Sequence, residues 1–181
     1  MTKESLENWR AVYRFHFNEN SEITISGVKR PVVNLVLPGF IEGHKVISIA
    51  PNAFKNDWII RTVTIPQTIS HIGAEAFRDC VYLEKLTIEK SDAEIADSAF
   101  IGCERLAKPT GFLVVNQVLV QYFGTQEHVI IPNGVKRIGR FAFYWCPENE
   151  RIRTITAPSS MATISISSIS CCPNLEHIFI D

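Results

Sequence analysis

A seven-residue apolar pattern recurs along this chain every 23 residues. One copy reads Ile72, Ala76, Phe77, Cys80, Leu83, Leu86 and Ile88. The copy before it holds Ile49, Ala53, Phe54, Asp57, Ile60, Val63 and Ile65, and the copy after it begins Ile95, Ala99, Phe100, Cys103 and Leu106. A fixed period in this range is the mark of a solenoid. Later copies are interrupted. Ile138, Ala142, Phe143 and Cys146 restart the pattern, and a short insertion around Pro147 to Arg151 delays it to Ile152, Ile155, Ala157 and Pro158. A degenerate copy follows with Ile164, Ser168, Ile169, Cys172, Leu175, Ile178 and Ile180, so that five copies align.

The local chemistry of one copy defines its strand. Val63-Thr64-Ile65 and Leu86-Thr87-Ile88 alternate apolar, polar, apolar, which places the outer residues inward and the threonines in water. Pro66 ends its strand because it has no N–H to give to a neighbour. A second extended piece runs through Ile69 to Ile72, and the Ala-Phe pair occupies the arc between. The few large side chains of one coil cannot offset the entropy of ordering its backbone. Coils must therefore stack, and stability becomes a nearest-neighbour property. The phenylalanines Phe54, Phe77, Phe100 and Phe143 are expected to form one column.

Two stretches break the period. Phe112 to Tyr122 contains two β-rich runs around Asn116-Gln117, which reads as a β-hairpin inserted at about 110–128. At the N-terminus, Tyr13, Phe15 and Phe17 alternate with polar residues, as do Ile23 and Ile25, with turn residues Asn18 to Ser21 between them. This predicts a hairpin over the first coil, preceded by a short helix at Lys3 to Ala11 with Thr2 or Ser5 as N-cap. Leu35 and Leu37 match Val63 and Ile65 and belong to a partial first coil. The organisation expected is a cap over 1–34 and a solenoid over 35–181.

Formal net charge is −1 and the basic residues are scattered, so nothing points to nucleic acid as a partner. The chain lacks a run of about 18 apolar residues, so no membrane insertion is expected. Met1 to Arg10 form no apolar signal core. The chain is therefore expected in the cytoplasm if complete as given, and at the cell surface or secreted if an upstream signal has been removed. Five cysteines are present, and Cys80, Cys103, Cys146 and Cys172 occupy one phase of the repeat, with Cys171 beside them. That phasing suits buried thiols better than a disulfide framework, although stacked slots lie close enough for a Cys80–Cys103 bridge.

The pattern Ile-x3-Ala-Phe-x2-Cys-x2-Leu-x2-Leu-x-Ile, with proline after the strand, resembles the BspA-like class of leucine-rich repeats. Val63-Thr-Ile-Pro66, Ile72-Gly-Ala-Glu-Ala-Phe77 and Val129 to Gly139 carry the resemblance. It implies an α/β-type, mostly β, right-handed solenoid with a parallel sheet on one face. It also implies a recognition surface, often on microbial surface proteins that touch host proteins, and no catalytic residues. Three departures stand out: Asp57 in a cysteine slot, Glu89 in place of the strand-ending proline, and Asp92 at an inward position. Burying a carboxylate is costly, so the register near Asp92 is expected to shift and bury Ala93.

No enzyme chemistry is legible. His16, His44, His71, His128 and His177 share no metal-ligand spacing and read as solvated. The Ser159 to Ser170 tract lacks a nucleophile elbow, and its Ile164, Ile166 and Ile169 fit a solenoid edge. No catalytic residue, metal or cofactor is expected. Stacking should align the mid-strand residues Val36, Thr64, Thr87, Ile130, Thr156 and Phe179, with Arg61, Lys85, Arg153 and His177 as a basic margin. Of these, Arg61, Thr64, Lys85, Thr87, Ile130, Arg153, Thr156 and Phe179 form the candidate partner-binding face. The reading is a non-enzymatic protein-interaction module with an unidentified protein partner. Two alternatives belong to other classes. One is a carbohydrate-binding or adhesive module using Trp58, Tyr82, Tyr122 and Trp145. The other is a self-assembling fragment whose homo-oligomer forms through an uncapped end at Ile178 and Ile180.

Overall fold

The computed structural model describes residues 9–144, 149–161 and 164–181. It divides into two compact units, Met1–Arg105 and Leu106–Asp181. Of the helix predicted at Lys3 to Ala11, the part up to residue 8 and the caps Thr2 and Ser5 lie outside the described residues, as do Trp145, Cys146 and Pro147.

In the first unit a one-turn helix, α1 (Trp9–Val12), leads into β1 (Tyr13–Phe17), β2 (Ile23–Val28), β3 (Asn34–Val36), β4 (Phe40–Ile41), β5 (His44–Ile49), β6 (Thr62–Ile65), β7 (His71–Ile72), β8 (Lys85–Ile88) and β9 (Glu94–Ile95). Two sheets result. One is parallel in the order β3-β6-β8. The other runs β1-β2-β5-β7-β9 and is parallel from β2 onward, with β1 antiparallel on β2 and β4 antiparallel on β5. Each of the coils carrying β6 and β8 gives one strand to each sheet, the pattern expected of a solenoid.

The core is the repeat made visible. Phe54, Phe77 and Phe100 stack face to face, with centroids 4.9 and 5.2 Å apart and planes within 13° and 1° of parallel. Their backbones stack too: Phe54 N–H donates to the Ala76 carbonyl at 2.7 Å, and Phe77 N–H to the Ala99 carbonyl at 2.8 Å. The Cys80 thiol donates to the Phe54 carbonyl and the Cys103 thiol to the Phe77 carbonyl, each at 3.1 Å, so the cysteine slot is a small buried donor rather than half of a bridge. Two residues past each phenylalanine the chain turns left-handed, at Asn56, Asp79 and Gly102. Asn and Asp tolerate that conformation and glycine is free in it. At Gly102 a Cβ would also fall 3.1 Å from the Asp79 Cα, so the turn is tight as well as left-handed.

The departures resolve locally. Asp57 turns its Oδ1 onto the N–H groups of Ile59 and Ile60, at 2.8 and 2.9 Å. Glu89 accepts from the Gln67 N–H at 3.1 Å. Ala93 is buried, while Asp92 points outward and pairs with Lys90 at 3.0 Å. Leu86 and Ile88 are only half-buried, because β8 is the outer strand of its sheet.

In the second unit, β10 (Phe112–Val115) and β11 (Val118–Tyr122) form the antiparallel hairpin read from the sequence. Asn116 and Gln117 both take positive φ, the two-residue turn whose twist matches a hairpin. The chain continues through β12 (His128–Ile130), β13 (Arg137–Ile138), β14 (Thr154–Ala157), a one-turn helix α2 (Ile166–Ile169) and β15 (His177–Ile180). The sheets are β10-β11-β13 and β12-β14-β15.

The hairpin is more than an insertion. β11 pairs parallel with β13, Gly139 N–H donates to the Leu119 carbonyl at 2.8 Å, and Tyr122 N–H donates to the Ala142 carbonyl at 2.7 Å. These are the bonds that Ile49 and Phe54 make with Gly73 and Ala76 in the first unit. Leu119 and Tyr122 therefore fill the isoleucine and phenylalanine slots of a coil that the 23-residue spacing does not reveal. The expected ring column is seen within each unit, with Tyr122 as one of its rings. Three rings stack in the first unit, and Phe143 packs in the second against Tyr122, at 5.7 Å. Ser168 takes the alanine slot and satisfies its hydroxyl on the Ile138 carbonyl at 3.1 Å. Ile164 and Ile169 pack on the core, but Ile166 is 82% exposed and is no edge residue.

Candidate recognition face

Strand register builds the face. In β3, β6 and β8 the Cα partners are Val36–Thr64–Thr87 and, two residues back, Asn34–Thr62–Lys85. In β12, β14 and β15 they are Ile130–Thr156–Phe179 and His128–Thr154–His177. Side chains two apart share a face, so each unit presents two parallel ladders. Val36, Ile130 and Phe179 are 62%, 68% and 52% exposed. The rungs bond to one another: Thr62 Oγ1 to Asn34 Oδ1 at 3.0 Å, and His128 Nδ1 to Thr154 Oγ1 at 2.9 Å.

The margin differs from the basic line expected. Arg61 N–H donates to the Val33 carbonyl and Glu84 N–H to the Arg61 carbonyl, so Arg61 shares a rung with Glu84, not with Lys85. Arg61 and Arg105 both pair with Glu84 Oε1, at 3.1 and 2.5 Å, and both stack on the Tyr82 ring. Arg153 likewise lies between Glu127 and Glu176, at 3.9 and 3.1 Å. Opposite charges thus alternate along this margin. Lys85 and His177 stand one residue further on, beside Thr62 and Thr154. Trp58 is 70% and Tyr82 38% exposed, whereas Tyr122 is fully buried and offers no platform.

A second constellation was not foreseen. On the β2-β5-β7-β9 sheet, Ser70 Oγ meets His71 Nδ1 at 2.8 Å, and His71 Nε2 meets Glu94 Oε2 at 3.2 Å. A groove of about 300 Å³ runs beside His71 and Glu94. Its signal in the sequence is the one-period spacing between His71 and Glu94. The side chains of His71 and Glu94 are 58% and 80% exposed, so water competes for every bond in the chain and the pair is a solvated surface rung. Among the described residues no three histidine, cysteine or acidic side chains converge on a metal position, and no helix is long and apolar enough to cross a membrane.

Cys80 and Cys103 are shielded by burial. Cys103 is held well above the usual thiol range, by its hydrogen bond with Cys80 and by burial. Cys172 is buried and Cys171 half-exposed.

A model of the BspA type leucine rich repeat region matches six copies, over residues 40–111 and 115–181. The second span includes β11. No curated protein matches the sequence. Three solved structures are similar in fold. A leucine rich repeat protein of T. pallidum is 22% identical at a TM-score of 0.63, covering 93% of this chain and 79% of that one. A leucine rich cell surface protein of Faecalibacterium prausnitzii is 22% identical at 0.58, covering 94% of this chain and 53% of that one. A leucine-rich repeat protein of Bacteroides ovatus is 23% identical at 0.59, covering 92% and 45%. This chain therefore spans about half the length of the last two. By its repeats and its strand register, it belongs to the BspA-type leucine-rich repeat family.

Proposed function

We propose that this repeat scaffold is a non-enzymatic recognition module that holds a protein partner on its strand ladders. The observation that supports the reading is the exposed ladder Val36–Thr64–Thr87, with its counterpart Ile130–Thr156–Phe179. Rigid, regularly spaced side chains on a parallel sheet offer contact area at little conformational cost. Apolar and hydroxyl side chains are mixed along both ladders. The F. prausnitzii neighbour is a leucine rich cell surface protein, which is compatible with such a role.

The test is partner capture from a host or cell lysate, followed by face variants. Thr64→Arg with Thr87→Arg, and separately Thr156→Arg with Phe179→Arg, should abolish capture while leaving the melting temperature unchanged. Undiminished capture by both double variants removes the ladders from consideration. Lys85→Glu is the sharper charge probe, because Arg61 and Arg153 are already paired with carboxylates.

A second reading, carbohydrate binding, rests on Trp58 and its exposed ring. Hits on a glycan array that vanish in Trp58→Ala would favour it over protein recognition.

A further inference from the structure

The N-terminal hairpin carries a cleft of about 430 Å³ that the ladders do not use. Its origin is a register slip. Arg14 pairs with Gly27 but Phe15 pairs with Ile25, which leaves Ser26 as an extra residue in β2. Such a bulge re-aims the side chains around it. Here three cations, Arg10, Arg14 and Lys29, converge on one cleft with the aromatic rings of β1.

Charge in the cleft is unbalanced. Arg10 is spent on Glu42, with bonds of 2.6 and 2.7 Å. Arg14 donates to the Val28 carbonyl at 2.6 Å, and Lys29 to the Arg10 carbonyl at 2.5 Å. Among the described residues neither has a carboxylate partner, and there the two positive charges face the cleft without a counter-charge. The apolar wall is Phe15 and Phe17, edge to face at 5.9 Å. Tyr13 gives its hydroxyl to the Val36 carbonyl and contributes only its ring. Ser26 is exposed at the rim and free to donate.

We infer that this cleft binds an aryl oxyanion ester, a phosphate or sulfate monoester whose ring lies on Phe15 and Phe17 and whose charge meets Arg14 and Lys29. Neither half of such a ligand suffices. A bare anion leaves the rings wet, and a bare ring leaves the cations uncompensated. The volume is that of a small-molecule pocket. The same chemistry reaches a protein from two sources, a free aryl ester or an esterified tyrosine side chain in a peptide.

The full chain would be titrated at low salt with phenyl phosphate, inorganic phosphate and phenol, following the amide resonances of Arg14, Ser26 and Lys29. Phenyl phosphate should bind at least about tenfold tighter than either fragment. Lys29→Gln should weaken it about tenfold, the loss of one charge-assisted bond. Ser26→Glu, at an exposed position that carries no fold-forming contact, should abolish it even if Lys29→Gln perturbs folding. Equal affinity for phenyl phosphate and inorganic phosphate overturns the assignment. So do resonance shifts scattered away from the hairpin, and so does full binding by Ser26→Glu. A phosphotyrosine peptide that binds tighter than phenyl phosphate identifies the peptide source. One that binds no tighter identifies the free ester.

Discussion

In the first unit the coils repeat by translation; in the second the same slots are filled by substitutes. Phe54, Phe77 and Phe100 stand one period apart, and their rings stack within 13° of parallel. Tyr122 reaches its slot from a hairpin, and its ring meets Phe143 at 56° and Phe112 at 38°. In the first unit Cys80 and Cys103 donate to the carbonyls of the phenylalanine one coil back; in the second Ser168 donates to the Ile138 carbonyl from the alanine slot. The lesson is that a solenoid conserves positions in its backbone ladder, not residue spacings. Any side chain of adequate volume will serve once its N–H and carbonyl are in register.

The strongest way to break that comparison is to empty the ring slots. Phe77→Ala should cost about 3–5 kcal/mol, the loss typical of a buried aromatic. Tyr122→Ala should cost a similar amount, although its spacing marks it as part of an insertion. Chemical denaturation measures both, and a loss below about 1 kcal/mol for Tyr122→Ala would return the hairpin to the status of an ornament.

Next in size are the glycines that let coils approach. A Cβ on Gly73 would lie 2.6 Å from the Pro51 nitrogen, and one on Gly139 would lie 3.0 Å from the Leu119 carbonyl oxygen. Backbone cannot step aside as a side chain can. Gly73→Ala should therefore cost about 3 kcal/mol and Gly139→Ala about 1 kcal/mol, within the usual range for overpacking. A reversed order in thermal melts would show that the hairpin coil is the tighter of the two contacts.

Thiol chemistry gives a smaller, kinetic contrast. Cys80 and Cys103 should resist a thiol reagent until the chain unfolds, since Cys103 in particular is held as the neutral thiol. Half-exposed Cys171 should react first. Mass spectrometry of briefly labelled native protein decides the order.

The least effect belongs to surface charge. Lys55 and then Arg78 donate to Glu75 and hold its carboxyl below the ordinary value. Its contribution is present above the ordinary carboxylate range and is lost as pH falls through the lowered folded-state value. Glu75→Gln should flatten the acid limb of a pH–stability curve only slightly, as expected of a solvated pair.

Much of the candidate face was legible in advance. The alternation in Val63-Thr64-Ile65 assigns the threonines to water, and one period carries Thr64 to Thr87. The margin was legible by the same step, since one period carries Arg61 to Glu84 and Arg153 to Glu176, and Lys85 and His177 belong one residue further on. An offset of one residue turns a basic strip into alternating charge. The basic–aromatic cleft was not legible: a bulge at Ser26 has no periodic signature, yet it decides where Arg14 points.

The chain by itself determined that it must coil, with the placement of Phe54, Phe77 and Phe100, because apolar side chains at a fixed period have no shelter except one another. Tertiary structure alone decided that Tyr122 and Leu119 complete a coil, that Leu86 and Ile178 lie partly in water at sheet edges, and that a bulge at Ser26 turns Arg14 toward a cleft. Those outcomes depend on which backbone N–H meets which carbonyl across neighbouring coils. Such register is settled by the whole stack, and no local run of residues encodes it.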